Sequence, residues 1–188
     1  MSTTETKKHT LKVQPLTKKS FVPFGVILTS EGRERLPINT YGDKLDLYRE
    51  PFASDQPVEW FIVQGRVREM QALFLERHQH ITQAFIPLNG DGFIMVVARA
   101  DAPETNGLVN LDELHAFEIP GNTAIQLYRN TWHENPFPVK DNQTFLVTSH
   151  QALTRGHQQN PDASLAQLPL DLERRWFKDY SLELHITP

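Results

Sequence analysis

The 188-residue chain contains no cysteine. That excludes disulfides, thiolate metal sites and thiol nucleophiles together, and fits a reducing compartment. Positive charge is also scarce: 19 Lys and Arg against 23 Asp and Glu give a net charge of −4. Nothing attracts the chain to nucleic acid or anionic lipid, so neither is expected as a partner. Long apolar runs are missing too. The longest, "FIMVVA" from Phe93 to Ala98, is far below the roughly 20 residues a bilayer-spanning helix needs. The start "MSTTETKKHTLK" has no apolar segment of a secretory signal. Lys7, Lys8, Lys12, Lys18 and Lys19 hint at an organelle transit peptide, but such peptides are rich in Arg and poor in acids, whereas this one has Glu5 and no Arg. The expectation is a cytoplasmic protein with a disordered polar tail over residues 1–10.

At this length, with 39% hydrophobic residues, the chain suits one domain with a sizeable core. Short β-prone runs recur between turn signals: "WFIVQG", "QALFLERH", "TQAFIPL", the turn "NGDG", "FIMVVARA", "LHAFEIP", "GNTAIQLY" and "QTFLVTSH". This punctuation predicts an all-β antiparallel sandwich or barrel. Short helices are expected after Thr17, a good N-cap, and near "NLDEL". In "PLDLERRWFKDY", Leu172, Trp176 and Phe177 stand at roughly helical spacing. Residues 151–188 read as an extension that packs on the barrel or on a partner subunit.

In "QALFLERHQH" strand alternation puts Ala72, Phe74, Glu76, His78 and His80 on one face and Leu73, Leu75, Arg77 and Gln79 on the other. One face therefore runs from apolar to imidazole. His78, His80, Gln83 and Gly90 nearly reproduce the spacing of the first cupin motif, in which HxH and a later Glu bind a divalent metal. "YRNTWH" stands in the place of the second motif, with His133 where its last ligand falls. Gln83 replaces the carboxylate, so a metal site of His78, His80 and His133, with or without Gln83, is one reading. Nickel, manganese, zinc or iron would suit it; the other reading has no cofactor.

The ordered set "PLTKKSFVPFG", "LERHQHITQAFIPLNG", "FIMVVARA" and "LHAFEIPGNTAIQLYRNTWHENPF", over about residues 11–150, resembles the ureidoglycolate lyase family. The resemblance implies a cupin-like antiparallel β-barrel or jelly roll with a few short helices, usually a homodimer. It also implies cleavage of ureidoglycolate to glyoxylate and urea in allantoin and purine catabolism. The chain departs from the pattern at Gln79 and His80, and at Glu134 and Asn135 after "WH". Residues 151–188 fall outside the quoted motifs.

That reaction needs a base for the substrate hydroxyl and an acid for the departing urea nitrogen, roles that imidazole fills near neutral pH. His133 and His78 are assigned as proton-transfer residues or ligands, His80 as an added ligand, and Gln83 as an orienting amide or fourth ligand. Arg129 or Arg66 is the expected carboxylate partner, since a guanidinium grips a carboxylate at two points. Arg129 shares the face of His133 only if no turn intervenes; a surface salt bridge is its other reading. Glu76 orients an imidazole or pairs with an arginine, and Asn130 is a turn residue or a donor to substrate. His9, His115, His150, His157 and His185 are read as structural or surface histidines. Two further readings are a metal-dependent cupin enzyme of other specificity, an oxygenase or isomerase, and a non-catalytic barrel that binds a small carboxylate.

Overall fold

The computed structural model describes residues 6–38, 40–159, 167–168 and 171–188. Strand β1 (Lys7–Pro15), helix α1 (Lys18–Phe21), β2 (Gly25–Leu28) and β3 (Val58–Gly65) open the chain. β4 (Gln71–Ala72), β5 (Phe74–His78), β6 (Gln83–Pro87), β7 (Phe93–Ala98), β8 (Glu104–Thr105) and β9 (Leu108–Val109) follow. Then come β10 (His115–Ile119), β11 (Ala124–Leu127), β12 (Trp132–His133), β13 (Phe137–Pro138) and β14 (Gln143–His150). Helix α2 (Gln151–Gln159), β15 (Gln167–Leu168), β16 (Leu172–Trp176) and β17 (Leu182–Thr187) close it.

Among the described residues these strands form two curled sheets and the β8–β9 hairpin. The larger sheet has the order β15-β16-β5-β12-β7-β10-β1-β17-β4, with β13 also on β7; the smaller is β2-β11-β6-β14-β3. The mainly β architecture is the one expected. Its pairings are antiparallel except for β1, which runs parallel to both β10 and β17.

Side-chain alternation explains why β7 is apolar throughout. Phe93, Met95 and Val97 enter one core with Phe85, Phe117, Ile125, Phe145 and Val147, between the two sheets. Val96 and Ala98 enter a second core with Leu75, Ala116, Trp132, Phe177 and Leu184 on the far face. A strand buried on both faces has no need of polar residues. Each large side chain fully removed from water contributes roughly 1.5–3 kcal/mol. Gly25 is required where β2 meets β11, since a Cβ there would lie 2.1 Å from the Gln126 carbonyl oxygen.

Two expectations need correction. The tail is ordered from Lys7, because β17 pairs with it from Lys7↔Leu182 to Lys12↔Thr187; residues 1–5 lie outside the described residues. The helical spacing of Leu172, Trp176 and Phe177 instead belongs to strand β16 followed by a 3₁₀ turn at Phe177–Tyr180. A partner strand decides the matter: β5 pairs with β16 from Leu172↔His78 to Trp176↔Phe74. The expected turn after Thr17 is present, with Thr17 and Ser20 making a reciprocal capping box.

Candidate active site

β5 and β12 build the site by register. Glu76 lies directly opposite His133 in their antiparallel pair, and residues so placed share a face with Cβ atoms about 4.5–5.5 Å apart. His78 follows two residues after Glu76 and so shares that face. His78 Nε2 and His133 Nε2 lie 3.9 and 3.8 Å from Glu76 Oε1, and the two rings are 5.3 Å apart. All three residues are buried, and among the described residues they form the one group of His and carboxylate side chains arranged to hold a metal ion.

Hydrogen bonding fixes what these atoms present. His133 Nδ1 is 3.0 Å from the Thr131 carbonyl oxygen. That oxygen only accepts, so Nδ1 carries the proton and Nε2 a lone pair. Neither ring nitrogen of His78 and no other atom of the described residues satisfies the buried His133 Nε2 by hydrogen bonding. Burial, reinforced by His78, pushes His133 down to about 4 against the pull of Glu76. Burial raises the Glu76 carboxyl, but His78, His133 and Arg174 outweigh it and hold the group below its usual range. Lone pairs therefore converge on one point that a proton or a cation would satisfy. Two imidazoles and a carboxylate are a donor set arranged to hold a metal ion.

Glu76 and His78 line a cavity of about 380 Å³. Phe61, Val63, Phe85, Phe145, Val147 and Leu153 form its apolar walls; Gln83, Arg66, Arg68 and Arg174 add polar groups. Gln83 is buried with Oε1 unpartnered. Arg174 donates from Nε and Nη2 to Glu76 Oε2, at 2.9 and 2.5 Å. Arg68 donates to the Asn135 carbonyl at 3.0 Å and lies 3.5 Å from Glu134, whereas exposed Arg66 has no acidic partner among the described residues.

Three expected residues lie elsewhere. β5 ends at His78, so alternation stops there and His80 turns outward, its Nδ1 3.0 Å from Asp55 Oδ2; it is not one of the clustered ligands. Arg129 makes two hydrogen bonds to the same Asp55, at 2.7 and 3.2 Å. A turn closed by Thr131 N–H donating to the Tyr128 carbonyl parts Arg129 from the face of His133. Asn130 occupies that turn with φ 64°, and its backbone N–H donates to the His78 carbonyl at 2.7 Å.

Other contributors carried no local signal in the sequence. Asp171, just before β16, accepts from the His80 backbone N–H through Oδ1 at 2.7 Å and meets His150 Nε2 through Oδ2 at 2.5 Å. Burial raises its carboxyl, but His78, the His80 N–H and His150 bring it below its usual range. His150 is therefore an internal hydrogen-bonded group, not a surface histidine. Glu134 fills the break between β4 and β5, accepting from Leu73 and Phe74 N–H at 2.9 and 3.1 Å; burial raises its carboxyl. His115 contacts Gln14 and His185 contacts Glu183, while the side chain of His157 lies outside the described residues.

A family model described as ureidoglycolate lyase matches residues 8–179. The match runs past residue 150 through the segment that supplies Asp171 and Arg174. The ureidoglycolate lyase of Brucella anthropi is 34% identical over 144 residues, covering 74% of this chain and 82% of that protein. That of Brucella ovis is 32% identical over 185 residues, covering 95% and 96%. Among solved structures, RmlC from Streptococcus suis in complex with dTDP-D-xylose matches with a TM-score of 0.34 and 12% identity, over 68% of this chain and 61% of that one. With a family model matching residues 8–179 and relatives 32–34% identical over most of the chain, this protein belongs to the ureidoglycolate lyase family.

Proposed function

We propose that this chain is a ureidoglycolate lyase, cleaving ureidoglycolate to glyoxylate and urea in cytoplasmic allantoin and purine breakdown. The observation that carries the reading is the buried convergence of Glu76, His78 and His133, of which Glu76 and His78 line a cavity of about 380 Å³. Ureidoglycolate carries a hydroxyl and a urea nitrogen on the same carbon. A base removes the hydroxyl proton, the C–O bond becomes a carbonyl as the C–N bond breaks, and the departing nitrogen takes up one proton. His133 Nε2, bare because Nδ1 is tied to Thr131, suits the base, and the proton it takes passes to the departing nitrogen directly or by way of His78. Gln83 orients the urea amide, and Arg66 takes the substrate carboxylate, since the competing Arg129 is occupied by Asp55. The apolar walls exclude water and so strengthen each polar contact.

A divalent metal fits the same donors: Glu76, His78 and His133 would hold it, and it would supply polarisation of the substrate oxygens. The unsatisfied imidazole nitrogens favour this version. Metal analysis checks it, with stoichiometric metal lost in a His78→Ala/His133→Ala double variant as the supporting result. The protein acts as a homodimer in this reading. Exposed Val58, Trp60 and Ile62 alternate along edge strand β3, and apolar edge strands invite pairing with another chain.

The test is direct: purified protein with ureidoglycolate should release glyoxylate and urea faster than the spontaneous reaction, and His133→Ala should remove the excess. No excess rate from folded, metal-supplemented protein would reject the assignment.

A further inference from the structure

We propose that Asp171, itself anchored by His150, is a positioning residue that fixes the His78 imidazole with its proton on Nδ1 and a bare Nε2 toward Glu76 and His133. The inference rests on the reading that His78 works at this site. The argument begins away from the cavity. His150 ends β14 and is fully buried. The Leu153 backbone N–H donates to His150 Nδ1 at 3.3 Å, an N-cap arrangement at the start of α2. A nitrogen that accepts has no proton, so the proton of neutral His150 is on Nε2. That Nε2–H donates to Asp171 Oδ2 at 2.5 Å.

The other carboxylate oxygen is held as firmly, since Oδ1 accepts the His80 backbone N–H at 2.7 Å. Pinned at both oxygens, Asp171 cannot turn away from its third neighbour, His78 Nδ1, 3.5 Å from Oδ2. The separation is longer than a good hydrogen bond, but the sign of the contact is fixed. A carboxylate offers only lone pairs, and both ring nitrogens face one: Glu76 Oε1 lies 3.9 Å from Nε2, whereas the pinned Asp171 Oδ2 lies nearer Nδ1, so Nδ1 is the protonated nitrogen. Nε2 is then the lone pair available to a proton or a metal ion. Carboxylates and carbonyls commonly set the tautomer of a working histidine in this way. The His78 backbone is fixed separately by Asn130 N–H on its carbonyl.

Asp171→Asn inverts the contact. With the amide oxygen kept on the His80 N–H, the amide NH₂ faces both His78 Nδ1 and His150 Nε2, so the His78 proton moves to Nε2 and that of His150 to Nδ1, giving up its long bond from Leu153. Imidazole ¹⁵N correlation spectra of the full-length protein read this directly. The expected result is Nδ1–H in the wild type and Nε2–H in Asp171→Asn, with kcat for ureidoglycolate lowered about 10²- to 10⁴-fold and KM little changed. His150→Gln, which keeps an acceptor for Leu153 and a donor for Asp171, should retain the wild-type tautomer and most of kcat. Nε2–H on wild-type His78 overturns the proposal even if Asp171→Asn does not fold, and so does an unchanged tautomer in that variant. A tautomer that inverts in a protein with no activity on ureidoglycolate supports the positioning role and removes only the substrate assignment.

Discussion

The buried group Glu76, His78 and His133 and the exposed group Asp55, His80 and Arg129 draw on the same two motifs, with Asp55 joining from outside them. "ERHQH" gives His78 to one and His80 to the other; "RNTWH" divides His133 from Arg129 in the same way. Their surroundings differ. Side chains of the first are 8, 4 and 2% exposed, those of the second 49, 43 and 32%. In the interior, burial opposes charge, drives His133 down to about 4 and leaves ring nitrogens unsatisfied. At the surface, Asp55 is lowered by hydrogen bonds from Arg129 and His80, and solvent screens the attraction. Residue type alone did not separate the groups; the end of a strand and one turn did.

The largest effect should come from breaking the inner group. Glu76→Gln and His133→Ala should each lower kcat/KM for ureidoglycolate about 10²- to 10⁴-fold, checked by glyoxylate release from protein with a wild-type circular dichroism spectrum. Next is Arg174→Met, which leaves Glu76 buried without its partner. Removing one member of such a pair costs about 3–5 kcal/mol, to be read from urea unfolding.

Acid sharpens the contrast further. His133 and His115 are both held below the ordinary value of 6.5 by burial, so the unfolded chain binds these protons before the folded one does. Their contribution to stability is complete above pH 6.5 and declines as pH falls toward about 4, the value of His133. Denaturant midpoints of chelator-treated protein at a series of pH values should fall in that direction, and Phe at position 115 should reduce the slope. The smallest effect belongs to the outer group: Arg129→Ala and Asp55→Asn should leave kcat/KM within about twofold and change the melting temperature little, as surface pairs do.

Much of the inner group was legible because it is local. Alternation put Glu76 and His78 on one face, and motif spacing supplied His133 and Gln83. His80 was misplaced because alternation was extended two residues past the end of β5, where Asp171 captures its N–H. Arg174, Asp171 and His150 were missed for another reason. Arg174 meets Glu76 across 98 positions and Asp171 meets His80 across 91, contacts that exist only once β16 joins β5. Leu172 and Trp176 are four residues apart, a spacing that suits either a helix or alternate positions of a strand, and pairing with β5 chose the strand.

The comparison of kcat/KM for His78→Ala and His80→Ala, measured side by side with ureidoglycolate, is the most direct test. The two histidines are separated by one residue and lie in the same motif. The account predicts at least a hundredfold loss for His78→Ala and near wild-type activity for His80→Ala; equal losses, or a greater loss at His80, would contradict it.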